Sequence, residues 1–135
     1  MIDMTEKKYG DIVWLVSTKL NEILNPQEEK FHSPESLDSD KLAFIETTLG
    51  KKLCCPTTNL FDTQLEAKIY ASVKFIREYH DIEYKHENDI KGRTLKTHTT
   101  LTEIDRQNFL IAVNMVSEFE EKYPELVLLH LMQAK

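Results

Sequence analysis

The chain has 135 residues, of which 41% are hydrophobic and 30% charged, and its formal net charge is -6. This length and balance are typical of one folded domain and exclude an intrinsically disordered chain. The acidic balance disfavours a general binder of nucleic-acid phosphates, because such a protein needs a basic face.

The first half of the chain shows apolar residues at helical spacing. Residues at three- and four-residue steps form one stripe near the start, namely Tyr9, Ile12, Val13, Val16, Leu20, Ile23 and Leu24. This stripe predicts a helix from about Thr5 to Leu24, ended by Asn25-Pro26. Residues 25–36 contain two prolines and predict a loop. A second helix is predicted from about Asp38 to Leu49, with Gly50 placed to end it and a connector following.

The second half carries clearer helix start signals. Thr63 and Glu66 form a capping-box pattern before a third helix, which reaches about Tyr79. Residues 80–99 are densely charged and are compatible with a helix extension, a small hairpin or a loop. Thr100 and Glu103 form a second capping-box pattern.

That second pattern opens a fourth helix, which we expect to reach about Lys122. Pro124 suits the first turn of a final helix that is apolar almost all round. Only three glycines occur in the chain, and strand-like alternation is scarce. We therefore predict an all-α fold, a small bundle of about five helices in a single domain over residues 1–135.

The sequence predicts neither a membrane span nor a secretory signal, and it contains no C-x-x-C redox motif. No apolar stretch approaches the roughly 18 residues of a transmembrane helix. The two cysteines, Cys54 and Cys55, are adjacent and are poorly placed to pair with each other. Two reduced thiols in a half-buried connector and a cytoplasmic location are the expectation. We expect no metal, no cofactor and no membrane partner.

The best candidate for chemistry is the run from His80 to Glu87, which contains two imidazoles and several carboxylates. His80 and His86 lie six residues apart, whereas ligands on one helix face lie three or four apart. A solvated charged turn is the favoured interpretation. The alternative is a small helical enzyme or ligand-binding protein that uses His80, Glu83, His86 and Tyr79. His130 lies in an apolar helix without nearby acids, and we expect a buried histidine or a rim residue and not a ligand.

Trp14, the only tryptophan, is out of register with the apolar stripe of the first predicted helix. Helical geometry places it on the polar face, where an aromatic side chain is either covered by another element or available to a partner. The acidic side chains in the same part of the chain extend this surface. The predicted partner-binding residues are Trp14, Asp11, Glu22, Glu28, Glu29, Glu35, Asp38 and Asp40.

Acidity and the absence of catalytic motifs favour a non-enzymatic module that binds a basic protein. Small acidic helical proteins of this kind include immunity proteins and antitoxins, which neutralise basic toxins or nucleases by direct binding. That analogy is one of size, charge and class, and no motif supports it. A third alternative is a regulatory subunit that self-associates through the apolar final helix.

Overall fold

The computed structural model describes residues 2–36, 38–92 and 101–133. Proximity of Cα atoms divides the chain into two compact units. The sheet unit comprises Met1–Ser17 and Asn25–Lys68, and the helical unit comprises Thr18–Leu24 and Ile69–Lys135. The sheet unit contains five antiparallel strands, so the prediction of an all-α bundle is wrong. The prediction of one domain stays a prediction.

The sheet is a meander of four strands with a short fifth strand added beside the first. The strands are β1 (Ile12–Leu15), β2 (Gln27–Ser36), β3 (Ser39–Glu46), β4 (Lys52–Pro56) and β5 (Leu60–Phe61). Their spatial order is β4-β3-β2-β1-β5, and every neighbouring pair is antiparallel. Consecutive strands from β1 to β4 therefore pair with each other.

The helix predicted from Thr5 to Leu24 is replaced by β1, with a short 3-10 helix on each side, Met4–Glu6 and Leu20–Glu22. β-branched and aromatic residues such as Val13 and Trp14 favour strands, because they pack well on a pleated surface. Apolar residues lie on both faces of β1 and hide its two-residue period. The helical spacing of the stripe is therefore coincidental.

The second predicted helix, Asp38 to Leu49, is also wrong, since β3 occupies most of this segment. Gly50 has a φ of +79°, but it closes the turn between β3 and β4 and does not end a helix. Its N–H donates to the Thr47 carbonyl at 2.9 Å, and the Thr47 N–H donates to the Lys51 carbonyl at 2.8 Å. A glycine with a left-handed backbone conformation can close a hairpin turn as readily as it can end a helix.

The sheet is strongly curled. Only three residues separate Pro56 at the end of β4 from Leu60 at the start of β5, although these strands form opposite edges of the sheet. In a flat sheet, strands spaced about 4.8 Å apart would place those edges about 19 Å from each other, whereas this connection spans at most about 14 Å. Curling brings inward-facing side chains together, and they form the core Ile2, Val13, Phe31, Ala43, Ile45, Cys55 and Leu60.

The helical unit contains α2 (Glu103–Lys122) and α3 (Pro124–Gln133), together with most of α1 (Gln64–Gly92). These three helices were predicted, including the end of α2 and the position of Pro124 in the first turn of α3. Residues 80–92 continue α1. Of the three alternatives for residues 80–99, the helix extension is therefore correct for the described part. None of the described helices is both long enough and apolar enough to cross a membrane.

α1 and α2 each begin with a capping threonine, as predicted, but the capping box of α2 lies two residues later than predicted. The Thr63 hydroxyl accepts the Glu66 N–H at 3.2 Å, as its pattern predicted. At α2 the capping box is formed by Thr102 and Asp105, whereas Thr100 lies outside the described residues. The Asp105 N–H donates to the Thr102 hydroxyl at 3.2 Å, and the Thr102 N–H donates to the Asp105 carboxylate at 2.9 Å. This reciprocal pair satisfies two backbone donors that the helix itself leaves unpaired.

Aromatic rings hold the helical unit together. Tyr79 stacks on Phe109 of α2 with 4.4 Å between ring centroids, and Phe75 stacks on Tyr79 one helical turn earlier. The His130 ring of α3 lies edge-on to Tyr70 of α1 at 5.7 Å. α1 therefore provides the packing surface for both later helices.

Candidate functional site

The sheet unit contains a cavity of about 750 Å³ between the N-terminal segment and the β2–β3 hairpin. We call it the acidic groove. Ile2, Met4 and Pro34 supply apolar surface, and three carboxylates and three hydroxyl groups supply the polar surface. The polar lining residues are Asp3, Asp38, Asp40, Thr5, Ser36 and Ser39.

Local hydrogen bonds position the hairpin side of the acidic groove. The buried Thr57 hydroxyl donates to the Asp40 carbonyl at 2.6 Å and holds the backbone that carries this carboxylate. Ser36 and Ser39 pair across the hairpin, and the Asp38 N–H donates to the Ser36 hydroxyl at 3.2 Å. The backbone around both hairpin carboxylates is therefore anchored, while the Asp38 and Asp40 side chains stay exposed.

The third carboxylate is held in its ionised form. The Asp3 Oδ1 atom accepts hydrogen bonds from the Thr5 hydroxyl at 2.6 Å and from the Thr5 N–H at 3.0 Å. These two bonds lower the pKa of Asp3 below its ordinary value, with the hydroxyl bond the larger cause. Asp3 therefore contributes a negative charge to the acidic groove at neutral pH.

A second cavity of about 310 Å³ lies near the turn between β3 and β4. It is lined by Glu28, Glu29 and Glu46, together with Lys30 and turn residues. The Glu29 Oε2 atom is buried and has no hydrogen-bond partner among the described residues. Burial raises the pKa of Glu29, and burial is also the largest cause of the raised pKa of Cys55. This cavity is smaller than the acidic groove and includes a cation of its own.

Aromatic side chains make two further polar contacts in the sheet unit. The Tyr9 hydroxyl donates to Glu46 Oε2 at 2.6 Å, and the Tyr9 ring lies edge-on to His32 at 5.2 Å. The hydrogen bond to Glu46 is the largest cause of the raised pKa of Tyr9. The Lys52 ammonium lies 4.2 Å from the centroid of the Phe44 ring. These aromatic groups already have partners within the chain, so the acidic groove is the better candidate site.

No family model, curated protein or solved structure matches this chain. Its function is therefore inferred from the geometry of its own residues.

The predicted partner-binding residues do not all line one cavity. Only Asp38 and Asp40 lie in the acidic groove, whereas Glu28 and Glu29 line the second cavity. Glu22 belongs to the helical unit. The remaining members lie in or next to strands of the sheet unit and are not among the residues that line the groove, namely Asp11, Trp14 and Glu35.

Trp14 has a different environment from the one predicted. It lies in β1 opposite Glu28 of β2 and Phe61 of β5, and it is half-buried. The prediction that it projects from the polar face of a helix is wrong, because the segment is a strand. Its cross-strand neighbours share its face of the sheet, as directly opposed residues do.

Among the described side chains, the candidate chemical residues of α1 lie in different environments. His80 Nδ1 lies 3.9 Å from Glu83 Oε1, and both side chains are more than half exposed. Tyr79 is instead buried in the aromatic stack. The side chain of His86 lies outside the described part of the chain. Within the described residues, no group of three or more His, Cys, Asp or Glu side chains is arranged to hold a metal ion.

The cysteines lie in a strand and not in the predicted connector. Cys55 is buried on the core side of β4, and Cys54 is exposed on the other side. Both are free thiols. Strand alternation sends adjacent side chains to opposite faces, which explains why these neighbours differ.

Sequence reasoning missed Ile2, Met4 and Asp3, which form the N-terminal side of the acidic groove. No local pattern connects Asp3 to Asp38, because more than thirty residues separate them. The only available signal was the excess of acids in the first fifty residues, which carry ten acidic and five basic side chains.

Proposed function

We propose that this chain is a non-enzymatic protein-binding module whose acidic groove receives lysine or arginine side chains of a basic partner. The observation that carries the proposal is the combination of apolar lining and three carboxylates in one cavity of about 750 Å³. Lysine and arginine have apolar stems and cationic heads, so they can contact both kinds of surface at once.

Electrostatics gives the groove a role in partner selection. The carboxylates of Asp38 and Asp40 are exposed, and Asp3 is held ionised by its hydrogen bonds to Thr5. Exposed charges at a rim mainly accelerate association and select against like-charged partners. The apolar residues Ile2, Met4 and Pro34 would supply the desolvated contacts that slow dissociation.

An inhibitor of a basic toxin or nuclease is one form of this proposal, and acidity supports it. The helical class that suggested immunity proteins and antitoxins gives it no support, since the sheet unit carries the groove. The enzyme alternative has less support, because His80 and Glu83 are exposed on a helix surface.

The test uses a fluorescein-labelled oligoarginine peptide as the probe and fluorescence anisotropy at low ionic strength. We expect Asp38→Lys with Asp40→Lys to weaken binding by about tenfold or more, because both rim charges reverse. The matched control is Glu118→Lys with Glu121→Lys, which reverses two exposed acids on α2 and gives the same net charge.

The two double variants separate a groove from a general attraction between opposite charges. Equal loss of binding in both would show that net charge alone attracts the peptide, and it would refute the proposed site. Binding that persists unchanged at high salt would refute the electrostatic part. An oligolysine peptide then measures whether the groove prefers the planar guanidinium group.

A further inference from the structure

β4 forms an open edge of the sheet. It is the outermost strand in the spatial order, and it pairs with β3 on one side. Lys52, Leu53, Cys54 and Pro56 are exposed along it. The outer side of an edge strand presents N–H and C=O groups that the sheet itself does not pair, and a strand of another chain can bind to them. β4 is therefore a surface at which the sheet can be extended.

The register of β4 shows which of its backbone groups are directed away from β3. The Thr47 N–H donates to the Lys51 carbonyl at 2.8 Å, so the backbone groups of Lys51 are directed towards β3. In an antiparallel pair this direction alternates from residue to residue, and the register of β3 with β4 is continuous. The N–H and C=O groups of Lys52 and Cys54 are therefore directed outward. Pro56 adds an outward carbonyl but has no N–H.

Leu53 marks a place where the core side of this edge is incompletely covered. It lies directly opposite Ile45 of β3, so the two side chains share the core face of the sheet. Ile45 is fully buried, whereas Leu53 is 43% exposed. The difference arises because β4 is the last strand on this side of the described sheet. A strand added beside β4 would cover Leu53 and extend the apolar core.

The two ends of β4 differ in charge. The end next to the β3–β4 turn carries two lysines and one glutamate, whereas the other end lies beside two aspartates and one lysine. These residues are Lys51, Lys52 and Glu46 at the first end, and Asp38, Asp40 and Lys41 at the second. The Thr57 hydroxyl, directly after β4, donates to the Asp40 carbonyl and holds the second group beside the strand. Each end therefore keeps an excess of one sign.

We infer that the β4 edge pairs with the β4 edge of a second copy of this chain, in an antiparallel register centred on Cys54. The Cys54 N–H of each copy then donates to the Cys54 carbonyl of the other, and each Lys52 N–H donates to a Pro56 carbonyl. Both outward N–H groups of each β4 are paired, and the missing N–H of Pro56 leaves no donor without a partner. A two-fold axis through Cys54 makes the contact identical from both sides.

Charge favours this orientation and this occupant. An antiparallel arrangement brings the lysine end of each β4 towards the aspartate end of the other, whereas a parallel one would set lysines against lysines. The two lysines at the start of β4 also repel a cationic strand. The β4 edge is therefore distinct from the acidic groove, whose proposed partner is basic, and failure of one proposal leaves the other standing.

Charge substitutions at Cys54 test the two-fold axis, because the exposed Cys54 side chains of the two copies lie directly opposite each other in this register. Molar mass is measured by size-exclusion chromatography with light scattering, under reducing conditions and over a wide range of protein concentration. We expect the wild-type chain to form dimers. Cys54→Lys and Cys54→Glu should each weaken the dimer by about fivefold, since each sets like charges opposite each other. An equimolar mixture of the two variants should restore the lost affinity.

The matched controls are Leu49→Lys and Leu49→Glu, at a leucine that is 88% exposed in the turn between β3 and β4. They change the net charge in the same way and should dimerise like the wild type, alone or mixed. Cys54→Ser adds no charge and should also dimerise, which excludes a disulfide as the cause. Circular dichroism checks that every variant keeps its secondary structure.

Three outcomes would overturn the inference. The first is a wild-type chain that is monomeric at every concentration. The second is a mixture of Cys54→Lys and Cys54→Glu that dimerises no better than either variant alone. The third is a monomer that binds a peptide with the sequence of residues 51–57, since the edge would then accept a strand without joining two copies of the chain.

Discussion

The sheet unit and the helical unit place their apolar side chains differently. In the sheet unit, Val13, Phe31 and Ile45 point into a core enclosed by the curled sheet. In the helical unit, buried residues such as Phe75 and Val127 coexist with many large exposed ones on α2 and α3. The charged cavities belong to the sheet unit. The acidic groove and the exposed apolar side chains of α2 and α3 therefore belong to different units.

The largest expected effects come from the two cores. Phe31→Ala in the sheet unit and Phe75→Ala in the helical unit should each lower the free energy of unfolding by about 3–5 kcal/mol, because both rings are buried. Trp14, the only tryptophan, lies in β1 and reports on the sheet unit by fluorescence. Far-UV circular dichroism reports mainly on the helices.

We expect Phe31→Ala to shift the fluorescence transition in urea, and Phe75→Ala to shift the circular dichroism transition. This outcome would show that the two compact units also unfold separately. Equal shifts of both transitions by both variants would instead show one cooperative unit, as the single-domain prediction requires.

A smaller effect should appear as opposite pH responses of the two units. Burial lowers the pKa of His130 in the helical unit, so its contribution to stability is present above its ordinary value of 6.5 and is lost as the pH falls through the lowered value. Burial raises the pKa of Glu29 in the sheet unit. Its contribution is therefore present below its ordinary value of 4.5 and is lost as the pH rises through the raised value.

Thermal unfolding at several pH values measures both responses. Glu29→Gln should raise the midpoint at neutral pH, and this gain should shrink as the pH approaches 4.5. The neighbouring exposed residue provides the control Glu28→Gln, which should leave the midpoint nearly unchanged. His130→Leu should flatten the acid side of the stability curve, whereas the exposed His80→Leu should not. A gain for Glu29→Gln that grows with acidity would contradict the assignment.

The smallest predicted effect concerns the start of α2. Thr102→Ala removes the hydroxyl that accepts the Asp105 N–H, while the backbone N–H that donates to the Asp105 carboxylate remains. It should lower the free energy of unfolding by about 1 kcal/mol. Thr48→Ala, at an exposed threonine of the sheet unit, is the control and should change it much less. Urea unfolding followed by circular dichroism measures the difference. A Thr102→Ala variant as stable as the control would show that tertiary packing alone sets this helix start.

The three long helices were predictable because their signals are local. Thr63 with Glu66 and Pro124 mark helix starts, and apolar spacing over many residues supports each helix. β1 and β3 were missed because apolar residues occupy both of their faces. In β3, Ala43 and Ile45 are buried while Leu42 and Phe44 lie on the opposite face, so the two-residue period disappears.

The candidate site was only half predictable for the same reason. Asp38 and Asp40 were named because acids cluster in the first part of the chain. Their convergence with Asp3 depends on the position of the N-terminal segment beside the β2–β3 hairpin. That arrangement is a long-range contact, which no local pattern encodes.

The sequence by itself determined the acidity, the three helices and the apolar character of α3, because composition, caps and periodicity act over a few neighbouring residues. Tertiary structure decided that Ile12–Leu15 and Ser39–Glu46 are strands, since a strand exists only when another strand pairs with it. It also decided which acids share a groove and which side of α3 is turned away from α1. Both depend on the register and rotation of packed elements.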